Sequence, residues 1–121
     1  MTNQQAFDGV WKRLVIEVDK GKCFNPFNGE CIYMDIKGNK CAIGALMPDD
    51  LCELSDNYAA EMVGTGIRGV ATRIIQIREF FDGVDINLLS AMQEIHDNHY
   101  GTQASNRLKE IAKKWNLTIP T

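Results

Sequence analysis

What the chain lacks narrows it first. No run of residues approaches the roughly 20 consecutive apolar positions that span a bilayer, so a membrane-spanning helix is not expected. Concentrated positive charge is missing too. Thirteen basic residues against 16 acidic ones leave a formal charge of −3 and a pI near 5.3. That balance argues against broad affinity for nucleic acid or anionic lipid, which clustered Lys and Arg provide. Met1 to Ala6 is polar and the apolar residues after it are interrupted by charges. The three sections of a secretion signal are therefore not expected, and the expected location is the cytoplasm.

Closely spaced cysteine pairs are also absent. Cys23, Cys31, Cys41 and Cys52 lie eight to eleven positions apart, whereas a zinc knuckle presents two thiolates from a pair such as C-x2-C. With no export signal expected, two disulfides do not fit either, and reduced, packed thiols are the expectation. No metal and no cofactor are read from these residues. Also lacking is any nucleophile-base pair or phosphate loop whose spacing fixes a reaction.

What is present is enough apolar material for one compact domain: 45% of 121 residues, read as a single unit over 1–121. Phe7, Val10, Trp11, Leu14, Val15 and Val18 recur at three- and four-residue steps, which places them on one helical face with Lys12, Arg13, Glu17 and Asp19 outward. Thr2 or Asn3 can cap this helix and Gly21 suits its end. The segment from Cys23 to Glu30 reads as a loop positioning Phe24 and Phe27. Cys31 to Asp35 and Lys40 to Ile43 are short β-compatible runs around Lys37-Gly38-Asn39, which predicts a small antiparallel hairpin.

Pro48, Asp49 and Asp50 begin a short helix over Met47 to Leu54, with the two carboxylates where the helix dipole favours them. Ser55-Asp56-Asn57 reads as a turn. Gly64, Gly66 and Gly69 interrupt the next stretch before a well-buried helix from Val70 to Phe81. Asp85 caps a helix bearing Leu88, Leu89, Met92 and Ile95 and ending near Gly101. Thr102 caps the last, whose apolar face is Ala104, Leu108, Ile111, Ala112 and Trp115. The expected fold is α+β: a mainly helical single domain of four to five helices with a small antiparallel β-hairpin.

Three segments then carry a resemblance: Gly29-Glu30-Cys31-Ile32-Tyr33, Gly38 to Leu46 with Cys41-Ala42-Ile43-Gly44 and Pro48-Asp49-Asp50, and Leu88 to Asp97. With the terminal helix, they make the chain similar to a group of small uncharacterised proteins encoded by bacteriophages and prophages. The resemblance implies a phage or mobile-element origin, and so the cytoplasm of a bacterial host. It brings no activity with it.

Four constellations offer chemistry. Cys41, His96 and Asp97 could supply a thiol, a base and an orienting group, since a neighbouring imidazole raises the thiolate fraction. Both His96 and His99 extend an apolar stripe, which favours a packed histidine over a metal ligand. Gly64, Gly66 and Gly69 satisfy G-x-G-x-x-G, and with Arg68 and Arg73 could hold a phosphate or nucleotide at a helix start. Asp49, Asp50 and Glu53 form an acidic segment able to dock a basic partner. The expected function is a non-enzymatic phage or prophage accessory protein that binds a host protein, for instance one serving bacterial defence. Alternatives are a protein that sequesters a small anionic ligand and a small cysteine- or histidine-dependent enzyme. A homo-oligomer burying exposed aromatics is a third class.

Overall fold

In the computed structural model, residues 1–17, 32–61, 66–98 and 102–120 are described, without the side chains of residues 61, 96–98 and 102. Thr2 caps the first helix, α1 (Asn3–Trp11), through a reciprocal box. The Gln5 N–H donates to Thr2 Oγ1 at 3.1 Å, and the Thr2 N–H donates to Gln5 Oε1 at 2.8 Å. Phe7, Val10, Trp11 and Leu14 are buried, as their spacing predicts. At Lys12 the helix widens into a π turn over Lys12–Ile16, closed by the Glu17 N–H reaching the Lys12 carbonyl at 2.9 Å. The expectation that Arg13 faces outward is overturned. The wider turn shifts the register, and Arg13 is 3% exposed. Val18, Asp19, Gly21 and the Phe24–Phe27 loop lie outside the described residues.

The β-hairpin, and with it the α+β class, is also overturned. Among the described residues there is no strand, only a lone antiparallel bridge between Met34 and Lys40. Two local interactions account for this. The Asp56 carboxylate takes the N–H groups of Tyr33 at 2.8 Å and Met34 at 3.1 Å, donors that an extended ladder would otherwise use. On the other side the chain turns away immediately: the Ala45 N–H donates to the Cys41 carbonyl at 2.8 Å, opening a 3-10 turn over Gly44–Leu46. Between the two, Asp35 organises a tight turn. Its carboxylate accepts the N–H groups of Lys37 and Asn39, both at 2.9 Å, while Gly38 takes the positive φ of 86° that the geometry demands.

The second helix, α2 (Asp49–Glu61), begins directly after Pro48 and runs through the expected Ser55-Asp56-Asn57 turn. Each of the first two polar side chains has a partner compatible with helix. Ser55 Oγ donates back to the Leu51 carbonyl at 2.8 Å, and Asp56 reaches the Tyr33–Met34 backbone. The expected Val70–Phe81 helix is instead two short helices, α3 (Ile67–Arg73) and α4 (Ile75–Phe80). Ile74 between them is extended, with φ −108° and ψ 110°. Ile74, Ile75, Ile77, Phe80 and Phe81 are too broad a set for one face. Reorienting the chain at Ile74 buries Ile77 and Phe81 and leaves Ile75 52% exposed.

Asp85 precedes α5 (Ile86–Asn98) and accepts the Asn87 N–H at 2.8 Å. Its own N–H donates to Asn3 Oδ1 at 2.8 Å, which joins the starts of α1 and α5. The last helix, α6 (Thr102–Trp115), ends in a Schellman arrangement. Asn116 takes a φ of 55° and the Leu117 N–H reaches the Ala112 carbonyl at 2.8 Å. Lys113 and Lys114 occupy its final turn. The tail then returns to α1, where the Gln4 amide exchanges two hydrogen bonds with the Thr118 backbone, at 2.8 and 2.9 Å. Leu88, Leu89, Met92, Leu108 and the α1 face meet in one buried cluster, and each such side chain contributes about 1.5–3 kcal/mol on burial.

Candidate functional site

The region where chain order and chemistry coincide is the Cys41–Glu53 segment. Gly44 sits at its centre because nothing larger fits. A Cβ there would lie on the Tyr33 carbonyl oxygen and 2.9 Å from its carbon, both backbone atoms. The flanking thiols hold the two ends of this residue. The Gly44 N–H donates to Cys41 Sγ at 3.2 Å, and the Cys52 thiol donates to the Gly44 carbonyl at 3.3 Å. Cys41 is 4% exposed and Cys52 fully buried. Burial pushes the Cys52 thiol up to about 11. Lys40 opposes that shift, and Asp56, Asp49 and Asp50 reinforce it. At neutral pH this thiol is a hydrogen-bonding group, not a nucleophile. Cys23 and Cys31 lie outside the described residues.

Lys40 connects this brace to the acidic start of α2. Its ammonium donates to the Met47 carbonyl at 2.8 Å and pairs with Asp49 at 2.8 Å. Asp49, Asp50 and Glu53 are all exposed, and Asp49 keeps 80% of its side chain in solvent despite the pair. Such a pair is worth little alone, since water screens it. Together with the bond to the Met47 carbonyl, it links the α2 start to the Met34–Lys40 bridge. Asp49, Glu53 and Asp56 follow at i, i+4 and i+7, so they share one side of α2. Asp56 is the withdrawn member. Burial raises its carboxyl above the ordinary aspartate range, against the pull of the Tyr33 and Met34 N–H groups.

The described part of the glycine-rich segment, from Gly66 on, has polar groups engaged within the protein. Gly64 lies outside the described residues. Gly66 stands at the start of α3, and the Ile67 N–H that would face an anion donates to Gln93 Oε1 at 2.7 Å. Gln93 in turn donates to the Tyr33 hydroxyl at 3.1 Å, so its amide links α3, α5 and the Tyr33 loop. Arg68 donates to Asn87 Oδ1 at 2.7 Å. Arg73, exposed in the last turn of α3, is five positions further on and therefore about 140° around the helix. The two guanidinium groups thus leave α3 in different directions. Gly69 is an interior, half-buried helix position.

His96 and Asp97 lie on the last turn of α5, and their side chains are outside the description, as is His99. On the same helix Leu88, Leu89, Met92 and Ile95 are buried, as expected. Among the described residues no three His, Cys, Asp or Glu groups come together in a way that could hold a metal ion. No described helix is long and apolar enough to cross a membrane.

Sequence reading missed Arg13, Asp56 and Gln93. Arg13 Nε donates to the Lys40 carbonyl at 2.7 Å and Nη1 to the Glu17 carbonyl at 3.4 Å. An Arg within an otherwise outward-facing set gives no sign of burial, because the π turn that rotates it has no sequence signature here. Asp56 acts across 22 and 23 residues and Gln93 across 26 and 60, separations that periodicity cannot register. Asp35 did carry a local signal, a carboxylate shortly before Gly38-Asn39. Comparison with protein-family models, with curated proteins and with solved structures finds no match to this chain.

Proposed function

We propose that this chain is a non-enzymatic accessory binding protein of a phage or prophage, and that it docks a basic surface of a host protein through the start of α2. The reading is supported by how the polar groups are divided. Cys52 and Cys41 are committed to the Gly44 backbone, Arg68 to Asn87 and the Ile67 amide to Gln93, whereas Asp49, Asp50 and Glu53 stand in solvent on a start braced by Lys40. Part of this surface, Asp49 and Asp50, belongs to one of the three segments that carry the phage resemblance. Exposed carboxylates contribute mainly to the rate and selectivity of encounter, and an acidic patch matches a host surface rich in Lys and Arg.

The test reverses charge where the fold does not depend on it. Asp50→Lys with Glu53→Lys spares the Lys40–Asp49 pair, so the melting temperature is expected to stay within a few degrees. Host proteins retained by the immobilised wild-type chain at low salt are expected to be lost with the double variant and as salt rises. Retention of the same proteins by both forms, at any salt, would contradict the reading.

A further inference from the structure

The outward side of α6 is ordered across its width. The chain has 13 basic and 16 acidic residues, yet four of the basic ones, Arg107, Lys109, Lys113 and Lys114, and a single acid, Glu110, lie on this helix. All five are exposed, as is Asn106, while Ala104, Leu108 and Ala112 are buried on the opposite side. At about 100° per residue, Lys109 and Lys113 form one row and Arg107 and Lys114 a second row about 130° away. Asn106 and Glu110 run between them. The face therefore reads cation row, hydrogen-bonding row, cation row.

Little within the chain engages these groups. Arg107 meets Glu110 at 3.9 Å, a loose pair with 58% and 74% of the two side chains in solvent, and among the described residues it is the one ion pair on this face. Lys109 and Lys113, four positions apart, repel each other. A negative net charge argues against broad affinity for nucleic acid, but at physiological salt a charge acts over about 8 Å, so the local face decides what it holds. The helix is supported from behind by α1, the π turn and α5, whereas the acidic α2 packs chiefly on α3 and α4. Its tail is pinned to α1 by the Gln4–Thr118 exchange.

We infer that α6 enters the major groove of double-stranded DNA. Two anionic backbones border that groove and base edges lie between them, which is the order of charges and hydrogen-bonding groups across this face. A helix with its side chains is about 10–12 Å across and the groove about 12 Å wide. Asn106 pairs with an adenine edge and Glu110 accepts from a cytosine amine, while the two cation rows hold the phosphates of the two strands. Duplex RNA is disfavoured because its major groove is too narrow for side chains to read. Single strands are disfavoured because no aromatic residue is exposed on α6 for bases to stack on. An acidic protein surface would match the cations and leave Asn106 between them without a role. The inference goes beyond the acidic docking surface proposed above and does not rest on it.

The probe is a pool of random-sequence DNA duplexes of about 20 base pairs, two helical turns, with an RNA duplex, heparin and poly-glutamate as controls. By fluorescence anisotropy the wild-type chain is expected to bind the pool at about 50 mM salt and roughly hundred-fold more weakly at about 200 mM, since four phosphate contacts give a slope of about −3.6 in log affinity against log salt. Repeated selection from the pool is expected to enrich one sequence. Lys109→Ala with Lys113→Ala, and Arg107→Ala with Lys114→Ala, should each make the slope shallower by about 1.8, with melting unchanged to within a few degrees. Asn106→Ala should weaken the enriched sequence roughly ten-fold, as loss of one bidentate base contact does, at the same salt slope. Arg78→Ala, an exposed cation of α4, should alter neither quantity. In isotope-labelled protein the duplex should shift amides centred on 103–114. Absence of binding at low salt, a slope untouched by both double variants, no enriched sequence, or shifts centred off α6 would overturn the inference. Equal affinity for the RNA duplex or heparin would reduce the face to a general polyanion site, and equal affinity for poly-glutamate would make an acidic protein the occupant; either result overturns it as well.

Discussion

Gly44 shows how much of this chain's signature is about space. Gly44→Ala places a methyl group on the Tyr33 carbonyl, and neither backbone segment can move away, being fixed by Asp56 on one side and the two thiols on the other. A loss of about 2–3 kcal/mol is expected from such overpacking, read as a lower urea midpoint. An unchanged midpoint would contradict the close approach. Cys52 gives a second prediction at the same scale. Its folded value of about 11 lies above the ordinary 9.0, so the stability it contributes is complete below 9.0 and is lost as pH rises from there through about 11. The loss amounts to roughly 1.4 kcal/mol per pH unit of difference. Wild type should therefore destabilise across this window more than Cys52→Ala does, and its Cys52 thiol should resist alkylation at neutral pH until the chain unfolds. Parallel pH curves for the two forms, or rapid alkylation of folded protein, would contradict the assignment. In the sequence, Gly44 is legible as a bulge or a close approach between backbones, and the structure makes it the close approach; its partner, the Tyr33 carbonyl, lies outside the Cys41-Ala42-Ile43-Gly44 run and could not be read from it.

Elements were legible where periodicity is strong and a cap is local. The faces of α1, α5 and α6 were readable, as was the acidic first turn of α2. The hairpin was not correctly readable. Its two runs have the residues of strands, but their backbone donors are taken by Asp56 and the 3-10 turn. The single Val70–Phe81 helix failed for a related reason: apolar residues on too many sides of one helix are equally consistent with a break, and only the core geometry chooses the break at Ile74. The Asp35 turn provides the test at this scale. Desolvation, the largest single influence, works to raise the Asp35 carboxyl, but the Asn39 N–H and side-chain amide, the Lys37 N–H and the Lys37 charge together hold it below the ordinary 3.8. A lowered value means stability that is present above 3.8 and is lost as pH falls through the folded value. Asp35→Asn should cost roughly 1 kcal/mol at neutral pH, and the gap to wild type should close in acid below 3.8. A gap that stays constant into acid would show that the carboxylate charge contributes nothing to the turn.

At the scale of the whole molecule, charge and chemistry are separated. Cys41, Cys52, Arg68 and the Ile67 amide are paired within the described residues, whereas Asp49, Asp50 and Glu53 at the start of α2 stand in solvent. Composition indicated an acidic chain with little general affinity for nucleic acid. It could not indicate which acids remain in solvent, because Asp56 and Asp49 differ only in what the fold brings to them.

The central claim, binding of a protein partner through the α2 start, is tested most directly by native mass spectrometry of the chain recovered gently from bacterial cells, before and after denaturation. The account predicts a complex with a second, different protein that is absent when Asp50→Lys and Glu53→Lys are introduced. The chain itself should have its bare mass. A small molecule retained by the wild-type chain, lost on denaturation and held equally by the charge-reversed variant, would contradict it and direct attention to a ligand site instead.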